Sequence, residues 1–502
     1  MNRPAWLISA TCVVASYLLI TFSHFTVGEL TLDEAMSFFM AVPPLRDVLT
    51  LSVTSQGHPP LFFIALHEWL RLGDTEPVMR LLPLLFMVCA AITLLRTPRL
   101  TPLARIVATA VLLLSGFSSY LTPTLRPYSL GVWFSLWSCL SFASLISGPR
   151  HGVMPYVWYV VATVLLAYSQ PPAVWTLLAQ GIYALAAVAF TAVTADPRRA
   201  IHRHAPLLLS LAVVAVLSLP LAIGVLQFQS ALERPAIWVT LAAMVNPRYY
   251  ISGPVYLLAM SAGLGYLAVG LAVVGVWRGV RDRDPFIAVL ATVIAVQIGG
   301  AHGFLAGRTG FSFRYLAPAF PALCMLVGLG ADRCLAGGRW AQVAVTACAA
   351  GILVAATFSF VRAPHDAPTG PWRTVAAELR RMPGTKLVFF DIGWDTQRLR
   401  YEVRHDPDIR MLANEGPAWG SFGQPMTSEY VTRTIDRDAG SGTTFFYHLD
   451  AVLRSRVFDE AFVPGMMRHG CTRVYQRDVP TYVRDVPGNE GALLLGYACR
   501  GD

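Results

Sequence analysis

Eleven apolar runs, each about 17–26 residues long, fill most of the first 361 residues, at 5–27, 79–95, 104–122, 128–147, 154–170, 173–194, 205–226, 252–277, 285–303, 315–331 and 340–361. A run of that length matches a hydrocarbon core of about 30 Å at about 1.5 Å per helical residue. The runs predict an α-helical polytopic membrane protein with about 11 transmembrane helices, its main partner the lipid bilayer. Composition agrees. Only 14% of the residues are charged and 55% are hydrophobic, where a soluble domain carries roughly 25% charge. An ordinary soluble enzyme and a disordered or collagen-like chain are thereby excluded.

The formal net charge of +9 would also suit a nucleic-acid binder. The arginines, however, sit mostly singly between apolar runs, so no nucleic-acid partner is expected and membrane orientation explains them better. With the N-terminus in the cytoplasm, thirteen arginines fall on cytoplasmic segments, among them Arg96, Arg99 and Arg105, then Arg198, Arg199 and Arg203. Seven fall on outer segments, a bias that favours this orientation. The first run is too long for a signal-peptide core and no A-x-A site follows it, so it reads as an uncleaved span with Arg3 inside. Between the first two runs, residues 33–54 and 59–72 read as amphipathic helices on the outer surface, the second too short to cross.

After residue 361 the texture changes. Residues 1–363 form the expected membrane domain, and 364–502 read as a soluble α/β domain outside the cytoplasm. Its helices are expected at TVAAELRRM, around 395–403 and near 451–462; its strands at KLVFFDI, TTFFYHL, 472–476 and 492–498. The eight cysteines contain no C-x-x-C pair, which argues against a thiolate zinc site. Cys471 and Cys499 alone lie in the outer domain, near strand patterns that could run side by side. An oxidising compartment favours a disulfide between them.

The residues that could carry chemistry cluster on the predicted outer face. Asp33 and Glu34 follow the first span. Adjacent acids suit a helix N-terminus, where they complement the macrodipole; a carboxylate at the membrane surface also suits a general base. Gly57-His58-Pro59-Pro60 suits a helix start, with His58 at the N-cap, or a His58 facing the same cavity. Arg126-Pro127-Tyr128 and Arg314-Tyr315 sit on outer loops, with Arg308 six residues before Arg314. Outer arginines run against the positive-inside rule, and a phosphate held by paired guanidinium hydrogen bonds is the natural partner.

Taken in order, Asp33-Glu34, His58-Pro59-Pro60-Leu61, the stretch LGDTEPVMRLLP at 72–83, Arg126-Pro127-Tyr128 and FRYLAPAFPAL from Phe313 resemble the GT-C glycosyltransferases. Within them the chain is most similar to the protein O-mannosyltransferase and lipid A aminoarabinose transferase group. The resemblance covers about residues 5–335 and extends to the trailing outer domain. It implies transfer of a hexose or pentose, with inversion, from a polyprenyl-phosphate donor to an extracytoplasmic acceptor. It implies that Asp33 activates the acceptor hydroxyl with Glu34 as its neighbour. Arg126 and Arg314 would hold the donor phosphate, with Tyr128 and Tyr315 lining the site. Many relatives carry an acid shortly before the first of these arginines; Thr124 or Leu125 stands near its place here.

Two rival functions fit the same features. A transporter or flippase of anionic lipid-linked substrates would also have many spans and outer arginines, although no repeat halves are visible. An inactive relative could bind the lipid-linked sugar without turning it over. No cofactor is certain: a divalent metal is conceivable, but no ligand cluster stands beyond Asp33, Glu34 and His58.

Overall fold

The computed structural model describes residues 3–25, 29–56, 58–147, 152–194, 197–230, 242–258, 262–305, 313–336, 339, 342–343, 351, 372–390, 396–412, 427–439, 443–449, 457–479 and 492–499. The chain divides into two compact units. One joins Met1–Thr26 to Pro44–Asp366; the other joins Val27–Pro43 to Ala367–Asp502. A short N-terminal stretch carrying Asp33 thus groups with the C-terminal residues.

The first unit is helical. It contains α1 (Arg3–Phe25) and, after α2 (Leu32–Ala41) of the other unit, α3 (Leu45–Gln56), α4 (Leu61–Trp69), α5 (Glu76–Leu95), α6 (Pro102–Leu114), α7 (Gly116–Leu121) and α8 (Tyr128–Ser147). There follow α9 (Met154–Ala167), α10 (Ala173–Thr194), α11 (Pro197–Ser230), α12 (Pro247–Leu258), α13 (Ala262–Arg281), α14 (Pro285–Leu305), a 3-10 segment Phe313–Ala319 and α15 (Phe320–Leu335). Among the described residues, six helical segments are long and apolar enough to cross a membrane, and three shorter apolar helices accompany them. The protein is a polytopic membrane protein by this measure. Most of the run expected at 340–361 lies outside the described residues.

Several expected elements are broken, each for a local reason. The amphipathic stretch 33–54 splits into α2 and α3 at Pro43-Pro44. Two prolines remove two N–H donors and push the preceding residue away from the helical region. The run at 104–122 breaks at Ser115, whose extended backbone (ψ 153°) and side chain, accepting from the Ser118 N–H, cap α7 instead. The run at 252–277 falls into α12 and α13, with 259–261 outside the described residues. α13 and α15 pack backbone to backbone: a Cβ at Gly330 would collide with the Leu271 carbonyl, so the close approach needs glycine there.

The second unit contains α2 with α16 (Trp372–Arg381), β1 (Lys386–Phe390), α17 (Thr396–Glu402), β2 (Ile409–Leu412), α18 (Ser428–Asp438), β3 (Thr444–Leu449), a π turn Phe458–Phe462, α19 (Val463–Arg468), β4 (Thr472–Val479) and β5 (Ala492–Ala498). β2 and α18 add to the elements expected from sequence. The helix expected near 451–462 runs instead to Arg468, with 451–456 outside the described residues. The sheet order is β2-β1-β3-β5-β4, parallel across β2-β1-β3 and antiparallel across β3-β5-β4. Period-two alternation sends Leu387 and Phe389 to one face and Val388 and Phe390 to the other. Helices cover both faces, which is why KLVFF is buried throughout. Cys471 and Cys499 are joined in a disulfide where Thr472 pairs with Ala498.

Candidate functional site

The sequence-predicted residues fall into two groups, one in each unit. In the first unit, Arg126 is 5% exposed and stands two residues before Tyr128, the first residue of α8. The Arg314 guanidinium carbon lies 6.0 Å from the centroid of the Tyr128 ring and 5.7 Å from that of Tyr315. Residues 186 apart in sequence, Tyr128 and Arg314, thus meet at a cation–π contact. Arg308 lies outside the described residues.

The 3-10 segment that carries Arg314 and Tyr315 leaves carbonyls that a regular helix would pair internally. Buried side chains satisfy them. The amide of Gln297 on α14 donates to the Tyr315 carbonyl at 2.9 Å and to the Pro172 carbonyl at 3.1 Å, while Thr176 donates to its oxygen at 3.3 Å. Ser135 on α8 donates to the Pro318 carbonyl at 2.6 Å. Irregular backbone at membrane depth persists where protein groups replace the missing bonds.

The turn 168–172, between α9 and α10, ties these pieces to the His58 motif. The Leu61 N–H at the start of α4 donates to the Tyr168 carbonyl at 3.1 Å. This satisfies one of the orphan donors of the helix start. The N-cap is Pro60, without a side-chain cap bond, rather than His58. His58 is half-buried, with its ring 6.3 Å from that of Phe63 and its N–H donating to the Ser52 carbonyl at 2.8 Å. From the same turn, Gln170 packs against Gly131, one helical turn beyond Tyr128. Sequence reasoning missed Gln170 and Gln297. For Gln170 a signal existed: Gln170-Pro171-Pro172 repeats the polar-Pro-Pro pattern of His58-Pro59-Pro60.

In the second unit, α2 begins with a complete capping box. The Thr31 side chain accepts from the Glu34 N–H at 3.3 Å, and the Glu34 carboxylate accepts from the Thr31 N–H at 2.8 Å. Glu34 is 2% exposed and its carboxylate is engaged in this helix start. Asp33 is half-buried, and its carbonyl accepts from the Ser37 hydroxyl at 3.0 Å. Two residues before the cap, Glu29 is buried and accepts from the Arg373 N–H at 2.7 Å and from the Arg398 guanidinium at 3.3 Å. Arg398 also donates to the Leu30 carbonyl at 3.0 Å. Burial pushes the Glu29 carboxyl above its ordinary range, with the Arg373 N–H and the Arg398 charge pulling the other way. Further along α2, Arg400 stacks 4.4 Å over the Phe39 ring, and Phe38 meets Tyr401 edge-on at 5.1 Å. The Asp33 helix is therefore moored on α17. Among the described residues, no group of three or more His, Cys, Asp or Glu side chains gathers as a metal site would.

No protein-family model matches the chain, and no curated protein matches it in sequence. Solved structures do match its fold. ArnT from Cupriavidus metallidurans, a GT-C glycosyltransferase, aligns in its apo state with a TM-score of 0.60 at 12% identity, over 99% of this chain and 98% of that one. The same protein bound to undecaprenyl phosphate aligns with a TM-score of 0.59. The oligosaccharyltransferase of Archaeoglobus fulgidus tethered to an acceptor peptide aligns with a TM-score of 0.52 at 10% identity, over 90% of this chain and 70% of that one. The chain has the fold of GT-C glycosyltransferases.

Proposed function

We propose that the protein is a glycosyltransferase that moves a sugar, with inversion, from a polyprenyl-phosphate donor to an extracytoplasmic acceptor. The observation that carries this reading is the meeting of Arg314 with Tyr315 and with Tyr128, two residues after the buried Arg126, from segments far apart in sequence, in a chain with this fold. Two guanidinium groups suit a phosphate leaving group, because they stabilise the charge that grows on it as the glycosidic bond breaks. Contacts to the Tyr128 and Tyr315 rings restrain Arg314, which limits the freedom lost on binding. Asp33 supplies the base that takes the acceptor hydroxyl proton. Glu34 supports the helix start, and His58 joins the substrate-binding residues. A similar fold bound to undecaprenyl phosphate supports the donor class.

The test is incubation of the purified protein with a panel of undecaprenyl-phosphate hexoses and pentoses, followed by mass spectrometry. Release of undecaprenyl phosphate from at least one donor, when acceptor-containing membranes are present, is expected. Vesicle-to-vesicle movement of the intact lipid-linked sugar, without release, would favour the transporter reading instead.

A further inference from the structure

The turn 168–172 holds a buried amide whose role the phosphate site does not use. Gln170 is 1% exposed, and among the described residues neither its Nε2 nor its Oε1 has a hydrogen-bond partner. Buried polar groups are nearly always paired, so an amide with neither end hydrogen-bonded calls for a ligand or an explanation. Its position is fixed. The amide occupies the space that a side chain at residue 131 would take, and only glycine there admits it. Gly131 lies three residues after Tyr128 on α8, hence on the same helical face, and Tyr128 touches Arg314. The turn itself is pinned: Gln297 joins Pro172 to Tyr315, and Tyr168 receives the first N–H of α4.

We infer that Gln170 is a specificity-determining residue that reads a hydroxyl of the donor sugar, next to the arginines that hold its phosphate. An amide offers two donors and an acceptor on one rigid plane, which matches a hydroxyl that both gives and takes a hydrogen bond. A phosphate, an acceptor only, would use half of that capacity, and the guanidinium groups already serve it. This inference rests on the donor assignment made under Proposed function.

The experiment compares the binding of undecaprenyl phosphate with that of a panel of undecaprenyl-phosphate sugars, in wild type and Q170L. Leucine keeps the volume and removes an unpartnered buried amide, so Q170L should melt no lower than wild type. The expected result is unchanged affinity for undecaprenyl phosphate and about tenfold weaker binding of the preferred sugar donor, the scale of one lost hydrogen bond. Preference across the panel should flatten as well. Equal affinity of both proteins for every lipid would overturn the inference, as would an equal loss for undecaprenyl phosphate and for the sugar donors. Failure of the wild type to bind any of these lipids would instead overturn the donor assignment, and this inference with it. G131A offers a second readout: the added methyl must displace the Gln170 amide, so it should reproduce the selectivity change of Q170L.

Discussion

Asp33 and Glu34 are neighbours in sequence but are engaged differently at the start of α2. Glu34 closes a capping box with Thr31, whereas Asp33 makes no part of it. D33N keeps the size of the side chain and still suits the first helical turn, so the fold should survive. Turnover should fall to background if Asp33 is the base, because the amide cannot accept the proton. E34Q keeps a capping-box side chain and should retain most activity, while E34A should cost about 1 kcal/mol of stability. Sugar-transfer rates and melting temperatures measured side by side on D33N, E34Q and E34A check this; turnover by D33N near the wild-type rate would remove Asp33 from the mechanism. The same scale marks a limit of sequence reading. Adjacent acids at a helix start fit capping and catalysis equally, and the hydrogen bonds of Glu34 show that it caps. For the buried Gln170 the sequence offers only the polar-Pro-Pro pattern, since its packing on Gly131, thirty-nine residues earlier, and the link of its turn to Tyr315 through Gln297 are made across the fold.

At the scale of elements, two ionic contacts hold the second unit together in different ways. Glu29 and Arg398 fix the entry to α2, with the side chains 4% and 19% exposed. R398A would leave a buried carboxylate with less compensation and should destabilise this region by about 3 kcal/mol. R398K should restore only part of that, because one ammonium cannot reproduce the fork that reaches both Leu30 and Glu29. Protease cleavage between residues 27 and 43, faster in R398A than in wild type, is the expected readout. Glu378 on α16 accepts from Arg477 and, at 2.6 Å, from Tyr475, both on β4. Arg477, and after it Tyr475, hold the Glu378 carboxyl below its ordinary value of 4.5. A depressed folded value means that the stabilisation is present above pH 4.5 and fades as pH falls through the folded value. Wild type should therefore lose more melting temperature than E378Q as pH is taken from above 4.5 down through the folded value; parallel profiles would contradict this. Element positions were largely readable: apolar runs located most of the long helices, and alternating strands located four of the five. The attachment of α2 to α17 was not, because it rests on Arg398 and Arg400 meeting Glu29 and Phe39 across more than 350 residues. The break at Pro43-Pro44 was present in the sequence but was masked by the amphipathic pattern on either side of it.

At the scale of the whole molecule, the arginine bias predicts a cytoplasmic N-terminus and a C-terminal unit on the opposite side. A C-terminal alkaline phosphatase fusion should be active and a C-terminal cytoplasmic fluorescent reporter dark; the reverse pattern would invert the topology. Hydropathy alone conveyed the class of fold, because the bilayer imposes one length and one polarity on every crossing segment. It could not convey which segments meet, and Arg314 reaches Tyr128 only when the 3-10 segment after α14 returns to the start of α8. The central claim is that this meeting point binds a polyprenyl phosphate through Arg126 and Arg314. The most direct measurement is the affinity of the purified protein for undecaprenyl phosphate in wild type, R126A, R314A and R314K. The account predicts a loss of about 2–5 kcal/mol in each alanine variant and only partial recovery with lysine, which offers a point charge in place of a planar fork. Unchanged affinity in both alanine variants, or full recovery with lysine, would contradict it and leave these arginines as anchors for lipid headgroups.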